Sequence, residues 1–535
     1  MTMIDARLAE LATTARSLRP KGRVLGAIAL ELTKIEPQRI VMRDGERSLT
    51  RRCMLDHALR LGGGLRARGL ARGAVIAFQL PNWWEACVIN LAASLFGFRI
   101  VPMLTIYRRA ELNEIVTACG IEAIFVPQTY RNTDFVALVE SLTEPPRHVL
   151  TVRGANNSAD CFERLIEAAP AAPDLANSDD AKLIIFTSGS TGQPKGVIHS
   201  HDTMDALISQ TAAFWGTGRD DVLYVASPIG HVGGAIYAFE FPWITECQIF
   251  LEESWQPAQA VARIEAENIT FMAGATPFLS GLLDAAQHAG RRLPSLRRFV
   301  CGGASVPPEL IIRGLDAFPN CVVSRAFGSS EVALVCPGVR TRSAAEIYAS
   351  TDGEGTADIR VLDADNVEVP IGTEGEIAVR APQMFLGYLN KADETGCFTD
   401  DGYFLMGDLG RIVDGKYVVV TGRTKDTIIR KGENISPLEI ENALMRHGAI
   451  RHCSVVGRPD MARGEMVVAF VVLETDASFD FETMTRHFEK LGLARQKTPE
   501  ALEIIDDLPM NAVGKVQKPK LREMALRLAS DAVRP

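Results

Sequence analysis

The stretch that decides the fold is residues 75–102, VIAFQLPNWWEACVINLAASLFGFRIVP. Short runs rich in β-branched and aliphatic residues stand at both ends of a longer apolar segment. This pattern predicts a strand over Val75–Leu80, a helix over Trp83–Phe96 and a second strand over Arg99–Pro102. A strand, a helix and a strand in this order predict a βαβ unit, and therefore an α/β fold with largely parallel sheets.

The same rhythm continues along most of the chain. A helix is predicted over Ala110–Cys119 and a strand over Ala123–Val126. Six further apolar runs predict strands over Lys182–Phe186, Val222–Ala226, Gln248–Leu251, Thr270–Ala273, Arg298–Cys301 and Val322–Arg325.

The sequence pattern changes from about Asp358, where short runs of alternating apolar and polar residues are separated by glycine turns. These runs predict a small β-rich subdomain with strands at Asp358–Leu362, Gly375–Arg380, Arg411–Val413 and Lys416–Thr421. A short polar interruption follows at Gly422–Asp426. Beyond it, helix and strand patterns at Pro437–Met445, Ile450–Gly457, Glu465–Leu473 and Phe481–Leu491 predict a small α+β domain.

Composition and charge exclude several classes of protein. The chain has 57 Lys and Arg against 66 Asp and Glu, and this net charge of −9 argues against nucleic-acid binding. Its ten cysteines form no CxxC pair, which predicts reduced and mostly buried thiols. The most apolar stretch, residues 86–104, contains Asn90, Gly97, Arg99 and Pro102, so we expect no transmembrane segment. The N-terminus lacks an apolar signal region, which predicts a cytoplasmic protein.

The strongest chemical signal is residues 183–199, LIIFTSGSTGQPKGVIH, where a polar Gly, Ser and Thr loop lies between two apolar strands. Glycines permit a close approach of the backbone, and successive N–H groups with neighbouring hydroxyls can bind an anion. Lys195 adds a positive charge. The spacing is not that of a Walker loop, and a solvated hairpin turn is the alternative for the loop taken alone.

This segment resembles the phosphate loop of the adenylate-forming superfamily, which includes acyl-CoA synthetases, nonribosomal adenylation domains and luciferases. The other motifs of that superfamily follow in its order over nearly the whole chain: Cys301–Ser305, Phe327–Glu331, Gly375–Ala378, Gly387–Asn390, Tyr403–Asp408, Gly422–Asp426, Gly432–Glu441 and Asn511–Lys515.

The resemblance implies a large N-terminal domain over residues 1–424, with two α/β sheets and a small β-barrel-like subdomain. A small mobile α+β domain over residues 425–535 would act as a lid, with its hinge at Lys425. It implies a ligase that forms acyl-AMP and pyrophosphate from a carboxylic acid and ATP, and then acyl-CoA and AMP. The implied ligands are ATP, Mg²⁺ and coenzyme A, and a homodimer is a possible assembly.

The resemblance also implies a role for each matching residue. Lys515 would bridge the carboxylate and the α-phosphate, Glu331 would hold Mg²⁺, and Lys195 would offset phosphate charge. The nucleotide would be bound by the phosphate loop, by an aromatic face at Phe327, where the superfamily usually has Tyr, and by ribose contacts at Asp408 and Arg423. The full nucleotide set is Thr187, Ser188, Gly189, Ser190, Thr191, Gly192, Gly303, Ala304, Ser305, Phe327, Gly328, Ser330, Asp408 and Arg423.

The acid is less well specified. The acyl pocket and coenzyme A channel would be lined by His231, Gly234, Tyr237, Thr276, Val332 and Gly432, whose small or apolar character favours an uncharged acyl body. Residues 79–85 and 127–131 resemble bacterial cyclohexanecarboxylate and medium-chain acid CoA ligases, so we expect a medium-chain, alicyclic or aromatic acid.

Three other functions use the same scaffold. A stand-alone adenylation enzyme would load a carrier protein, and the lack of a carrier domain after Lys515 weakens this alternative without removing it. A luciferase-like oxygenase finds no support in the sequence. A non-catalytic binding protein would be expected to have lost Lys515, Glu331 or Asp408, and all three are present.

Overall fold

The computed structural model describes residues 3–14, 22–154, 160–188, 194–303, 306–431, 433–460, 463–510 and 515–531. The strands within these ranges are β1 (Ile40–Asp44), β2 (Arg47–Thr50), β3 (Val75–Phe78), β4 (Arg99–Pro102), β5 (Ala123–Pro127), β6 (Thr129–Tyr130), β7 (Thr133–Asp134), β8 (His148–Val152), β9 (Ala181–Ser188), β10 (Pro194–Ser200), β11 (Val222–Val225), β12 (Gln248–Leu251), β13 (Phe271–Gly274), β14 (Arg298–Gly302), β15 (Val322–Ala326), β16 (Asp358–Leu362), β17 (Gly375–Arg380), β18 (Gly387–Tyr388), β19 (Phe404–Val413), β20 (Tyr417–Arg423), β21 (Ile428–Arg430), β22 (Glu433–Ile435), β23 (Ile450–Asp460), β24 (Gly464–Leu473) and β25 (Ala501–Ile504).

The helices alternate with these strands. They are α1 (Met3–Thr14), α2 (Leu25–Ile35), α3 (Arg51–Ala67), α4 (Trp84–Phe96), α5 (Arg109–Cys119), α6 (Phe135–Glu140), α7 (Phe162–Leu165), α8 (His201–Trp215), α9 (Val232–Phe239), α10 (Phe241–Ile244), α11 (Pro257–Ala266), α12 (Thr276–His288), α13 (Pro308–Ala317), α14 (Arg342–Ile347), α15 (Pro437–Leu444), α16 (Phe481–Lys490) and α17 (Lys518–Asp531), with 3₁₀ turns at Lys391–Glu394, Thr424–Asp426 and Arg495–Lys497.

Two seven-stranded sheets form the larger part of the molecule. The first has the order β15-β14-β13-β11-β12-β1-β2 and is parallel except where β2 pairs with β1. The second has the order β18-β10-β9-β4-β3-β5-β8, with antiparallel pairs only at β9–β10 and β10–β18. Together with the helices they confirm the predicted α/β class.

Helix α4 lies between these two sheets. Every residue of α4 is buried, and its apolar side chains share one hydrophobic cluster with Met42 and Ile249 of the first sheet and with Ile76 and Ile100 of the second. A helix that is apolar on all sides belongs in such a core. Gly97 ends it in the left-handed conformation at φ 64°.

Two smaller sheets follow in the chain. A four-stranded antiparallel sheet has the order β16-β17-β19-β20. The last sheet has the order β22-β21-β24-β23 with β25 beside β24, and α15 and α16 pack onto it. This succession agrees with the predicted β-rich and α+β regions.

The element bounds differ from prediction where a special residue intervenes. The strand predicted over Val75–Leu80 ends at Phe78, three residues before Pro81, and Trp83 becomes the N-cap of α4. Strand β19 starts seven residues before the predicted Arg411 and passes through Gly407, which has φ 70°. Burial alternates along this strand, but two of its buried positions are Asp408 and Gly410, so the sequence does not show the apolar alternation that predicts a strand.

Two predictions from composition can be compared with the structure. All ten cysteines are unpaired, and seven of them are buried. No helix in the described part of the chain has both the length and the apolar character needed to cross a membrane.

Candidate active site

The predicted phosphate loop connects two antiparallel strands at the edge of the second sheet. Thr187 at the end of β9 pairs in register with Lys195 of β10, and Ser188 pairs with Pro194. The four loop residues Gly189, Ser190, Thr191 and Gly192 lie outside the described residues. The strand ends therefore fix where the loop leaves and re-enters the sheet.

Lys195 is held by a segment that comes much later in the chain. Its Nζ lies 3.2 Å from Oδ1 of Asp393 and 4.9 Å from the ring centroid of Tyr388. The side chain of Lys195 is 20% exposed. The ammonium group is thus restrained by a carboxylate and an aromatic face, and it is still accessible to an anion from one side.

Glu331 accepts a short hydrogen bond from the same tyrosine. The Tyr388 hydroxyl lies 2.6 Å from Oε1 of Glu331. Burial and the neighbouring Glu331 charge both raise the pKa of Tyr388 far above its usual range, so the hydroxyl stays protonated and donates. Tyr388 is brought there because β18 pairs with β10, with Tyr388 opposite Val197.

Ser330 precedes Glu331 and is tied to the phosphate-loop strand. Nε2 of His199 on β10 donates to the carbonyl oxygen of Ser330 across 2.8 Å, in a buried position. This contact joins the strand that carries Lys195 to the segment that carries Glu331. The relative position of the two predicted phosphate-binding groups is therefore fixed by packing.

The predicted adenine segment follows β15. Phe327 exchanges two backbone hydrogen bonds with Cys336, of 2.9 and 3.0 Å, and its ring is partly exposed. A Cβ on Gly328 would lie 2.5 Å from the backbone nitrogen of Leu334, so only glycine fits there. Gly303 follows β14 with φ 83°, whereas the predicted residues Ala304 and Ser305 lie outside the described residues.

Asp408 and Arg423 face each other on neighbouring strands. They are register partners in the β19–β20 pair, and Nε of Arg423 lies 3.1 Å from Oδ1 of Asp408. The side chain of Asp408 is 7% exposed and that of Arg423 is 61% exposed. Burial raises the pKa of Asp408, and the positive charges of Arg423 and Lys515 oppose that rise.

Lys515 of the C-terminal region reaches this same place. Its Cε would lie 3.9 Å from a Cβ added to Gly303. Burial is the main cause that lowers the pKa of Lys515; Arg423 lowers it further, while Asp408 and Glu331 act in the opposite direction. The structure therefore brings a lysine from the end of the chain close to both predicted nucleotide-binding carboxylates.

His231 lies at the start of α9. Its Nδ1 accepts a hydrogen bond of 3.1 Å from the backbone nitrogen of Gly233, so the proton of a neutral ring is on Nε2. Burial, and then the charge of Lys515, lowers the pKa of His231 to about 4. The ring is therefore neutral near pH 7 and lies within the field of the predicted catalytic lysine.

The other predicted pocket residues have varied surroundings. A Cβ on Gly234 would lie 2.3 Å from the carbonyl oxygen of Pro228. Thr276 begins α12 and hydrogen bonds the thiol of Cys301. Tyr237 is buried in an aromatic cluster with Trp215, Phe241 and Phe271, and Val332 is fully buried with Ile377, Phe385 and Phe404. Gly432 lies outside the described residues.

The predicted hinge residue Lys425 lies in the 3₁₀ turn that joins β20 to β21. The next residue, Asp426, accepts a 2.6 Å hydrogen bond from Arg522 of α17. The turn therefore contacts the C-terminal helix directly. The domain boundary at residues 424 and 425 stays a prediction.

Three residues of the site were not predicted from the sequence. Tyr388 belongs to the Gly387–Asn390 motif, so its position was visible, although its contact with Glu331 was not. His199 ends the phosphate-loop segment, and the sequence does not reveal its contact with Ser330. Asp393 had no signal, because its pairing with Lys195 spans 198 residues of sequence.

Comparisons with known proteins show the family of the chain. The family model described as AMP-binding enzyme matches residues 33–389, and the model described as AMP-binding enzyme C-terminal domain matches residues 439–515. The first match alone covers more than half of the chain. The chain therefore belongs to the AMP-binding enzymes of the adenylate-forming superfamily.

Individual relatives indicate which kind of AMP-binding enzyme the chain is. The chain is 31% identical to the medium-chain fatty-acid–CoA ligase of Escherichia coli over 92% of this chain and 88% of that protein. It is 30% identical to a salicylyl-CoA synthase/salicylate adenylyltransferase of Streptomyces over 96% and 95%. The crystal structure of ATP-bound MatB from Rhodopseudomonas palustris superposes with a TM-score of 0.83 at 26% identity, covering 94% of this chain and 99% of that one. Within its superfamily the chain is an AMP-forming acid–thiol ligase.

Proposed function

We propose that the protein activates a medium-chain, alicyclic or aromatic carboxylic acid as its acyl-AMP and then transfers the acyl group to coenzyme A. The single observation that carries this proposal is the position of Lys515, which comes from the end of the chain, lies beside Gly303 and is within the electrostatic influence of Asp408 and Glu331. The names of the relatives given above agree with it.

In the first half-reaction a carboxylate oxygen attacks the α-phosphorus of ATP. A new oxygen–phosphorus bond forms, the bond from that phosphorus to the bridging oxygen of the β-phosphate breaks, and pyrophosphate leaves. Lys515 would offset the negative charge that both the entering carboxylate and the α-phosphate bring to this point. Asp408 would hold the ribose hydroxyls, and Lys195 would contact the leaving phosphates.

The Glu331 environment suits a magnesium ion held with the ATP phosphates. Among the described residues no group of three or more His, Cys, Asp and Glu could hold a metal by itself. Mg²⁺ typically takes one or two protein carboxylates and fills its other positions with phosphate oxygens and water. Glu331 offers one carboxylate, oriented by Tyr388. When bound, Mg²⁺ would supply positive charge against the phosphate oxygens.

In the second half-reaction the sulfur of coenzyme A attacks the acyl carbon. A carbon–sulfur bond forms, the carbon–oxygen bond to AMP breaks, and the thiol proton passes to solvent. A turn of the domain over residues 425–535 about Lys425 would withdraw Lys515 and bring in the segment around Gly432. This alternation, and the boundary on which it depends, is part of the proposal.

The acid class is supported by the charge state of the proposed pocket. His231 and Tyr237 are the two ordinarily titratable residues in that set, and burial favours the neutral form of both. The rest of the set, Gly234, Thr276, Val332 and Gly432, carries no ionisable side chain. A neutral lining does not compensate a second carboxylate on the acid, so it favours an uncharged acyl body.

A coupled AMP-release screen tests this proposal. Medium-chain, alicyclic and aromatic monocarboxylic acids should support AMP release with coenzyme A, whereas dicarboxylic acids of similar length should not. A preference for dicarboxylic acids would contradict the acid class. Turnover with a phosphopantetheinylated carrier protein and not with coenzyme A would contradict the acceptor. The cytoplasmic location and the homodimer stay predictions.

A further inference from the structure

The N-terminal helix α1 packs against the segment that holds Tyr388. Ile4 and Leu11 of α1 share a hydrophobic cluster with Ile198 of β10 and with Leu389, which follows Tyr388 directly. This helix precedes the residues that match the AMP-binding enzyme model, and none of the motifs discussed above includes it.

Arg7 is the polar centre of this contact. Although it is charged, its side chain is only 6% exposed. Its Nε donates to the carbonyl oxygen of Tyr388 across 2.9 Å, and its Nη2 pairs with the carboxylate of Glu394. That carboxylate in turn accepts a 2.9 Å hydrogen bond from the backbone nitrogen of Tyr388. Both backbone polar groups of Tyr388 are therefore held by the Arg7–Glu394 pair.

The packing around this pair is close. A Cβ on Gly387 would lie 2.4 Å from Oε1 of Glu394, 2.8 Å from Leu11 and 3.0 Å from Nη2 of Arg7. Gly387 therefore provides the space into which the ion pair fits. A buried guanidinium in such a position fixes geometry more than it adds stability, because its desolvation offsets much of its attraction.

Two links connect this pair to the proposed phosphate site. The Tyr388 hydroxyl donates to Glu331, and the Tyr388 ring lies beneath the Lys195 ammonium. Glu394 also ends the 3₁₀ turn whose Asp393 pairs with Lys195. None of these contacts joins Arg7 directly to Glu331 or Lys195; Arg7 holds residues 387–394, which contact both.

We propose that Arg7 is a positioning residue of the triphosphate site, which acts through Tyr388 on Glu331 and Lys195 and so makes helix α1 a functional part of the ligase. The inference rests on the function proposed above. It predicts that loss of Arg7 weakens the binding of the phosphates and their cation while the nucleoside end of the site is left intact.

The test compares Arg7→Gln with wild type in the full-length chain, by calorimetric binding of ATP in the presence of Mg²⁺ and of AMP alone. Outer groups that orient a metal-binding side chain typically change affinity by about 10- to 100-fold. We expect Arg7→Gln to weaken ATP binding by about tenfold and to leave AMP binding within about twofold of wild type. Arg7→Lys, which keeps the charge without the planar fork, should recover part of the loss.

The matched control is Arg99→Gln. Arg99 pairs with Asp5 at 2.8 Å and so anchors the same helix without touching the Tyr388 segment. It should leave ATP binding unchanged. Equal losses for ATP in both variants, or equal losses for ATP and AMP in Arg7→Gln, would show a purely structural role and overturn the inference.

A double-mutant cycle with Tyr388→Phe provides a second measurement. If Arg7 acts through Tyr388, adding Arg7→Gln to Tyr388→Phe should cost less ATP affinity than Arg7→Gln costs alone, whereas additive losses would refute the route. A wild-type chain that binds no ATP would refute the proposed function together with the role of Arg7. Normal wild-type binding with an unaffected Arg7→Gln would refute the role of Arg7 alone.

Discussion

Arg423 and Asp408 are register partners on two antiparallel strands, and the arginine donates to the buried carboxylate across 3.1 Å. The guanidinium is largely exposed whereas the carboxylate is not. The pair therefore places Oδ1 of Asp408 against a donor on the neighbouring strand. Because the pairing is set by the sheet, the carboxylate is oriented before any nucleotide arrives.

Replacing Asp408 by Asn should weaken nucleotide binding. A hydrogen bond to a charged group contributes about 1.5–3 kcal/mol, which corresponds to roughly 10- to 100-fold in affinity. We expect the Kd for AMP, measured by calorimetry, to rise within that range. Asp401→Asn is the control, because Asp401 pairs with Arg360 in an exposed position beside the same sheet. Equal affinities for Asp408→Asn and wild type would contradict the ribose assignment.

Tyr388→Phe should change the dependence on magnesium. The substitution removes the hydroxyl that donates to Glu331 and keeps the packed ring. We expect the Mg²⁺ concentration for half-maximal pyrophosphate release to rise by about tenfold, with a smaller effect at saturating Mg²⁺. Tyr403→Phe is a matched control, because Tyr403 donates to Asp358 at 2.6 Å in a different sheet. The assignment fails if both variants respond alike to Mg²⁺.

The fold was predictable because its signals are local. The apolar character of α4, the glycine that ends it and the runs that flank it all lie within about 30 residues of sequence, and each has its own physical reason. The strand predicted in β19 was too short because two of the buried positions carry Asp408 and Gly410, so the alternation of burial is not matched by an alternation of hydropathy. That alternation of burial is visible only in the folded structure.

The residues of the candidate site also differ in whether their signals are local in the sequence. Residues such as Glu331, Asp408 and Lys515 stand in motifs, so the sequence predicts a role for them. Arg7 stands in no motif, and its partners are 381 and 387 residues away. Nothing in the sequence of an N-terminal helix reveals that its arginine will be buried against a distant carbonyl and carboxylate.

Lys515→Ala should separate the two half-reactions. The lysine lies close to Asp408 and Glu331, where the acid and the α-phosphate would meet. We expect acid-dependent pyrophosphate release to fall by about 10²- to 10³-fold, because one preorganised charge is lost. Conversion of supplied acyl-AMP to the thioester should be retained. Lys520→Ala, at an exposed position on α17, is the control. Equal loss of both steps would refute the assignment.

The same lysine should impose an alkaline limit on adenylation. Its pKa is lowered from the usual 10.5, chiefly by burial, so the ammonium form is lost at a lower pH than in an ordinary lysine. We expect pyrophosphate release to decline as pH rises, with a midpoint below 10.5, and the thioester step from supplied acyl-AMP to lack this decline.

The contribution of Lys515 to the free energy of unfolding has the opposite dependence on pH from its contribution to pyrophosphate release. Between the pKa of folded Lys515 and the higher value of the unfolded chain, the unfolded state binds more protons, so this residue's contribution to the free energy of unfolding increases with pH. Lys515→Ala should lose that contribution. Identical shapes of the pH profiles of pyrophosphate release and of thioester formation would contradict the role of the ammonium form.

Lys425→Pro should impair the second half-reaction selectively. The 3₁₀ turn Thr424–Asp426 joins the strand that carries Arg423 to the sheet of the C-terminal region. A proline fixes φ near −65° at the residue where the proposed domain turn needs backbone freedom. The chain should keep the orientation that brings Lys515 to the site, so acyl-AMP should form at close to the normal rate. Thioester formation from that acyl-AMP should fall by at least tenfold, because the second orientation requires the turn.

Lys425→Ala separates this backbone effect from loss of the side chain and should leave both steps nearly unchanged. Burst kinetics of pyrophosphate release with slow thioester appearance would identify the defect, whereas normal overall turnover of Lys425→Pro would show that the hinge lies elsewhere.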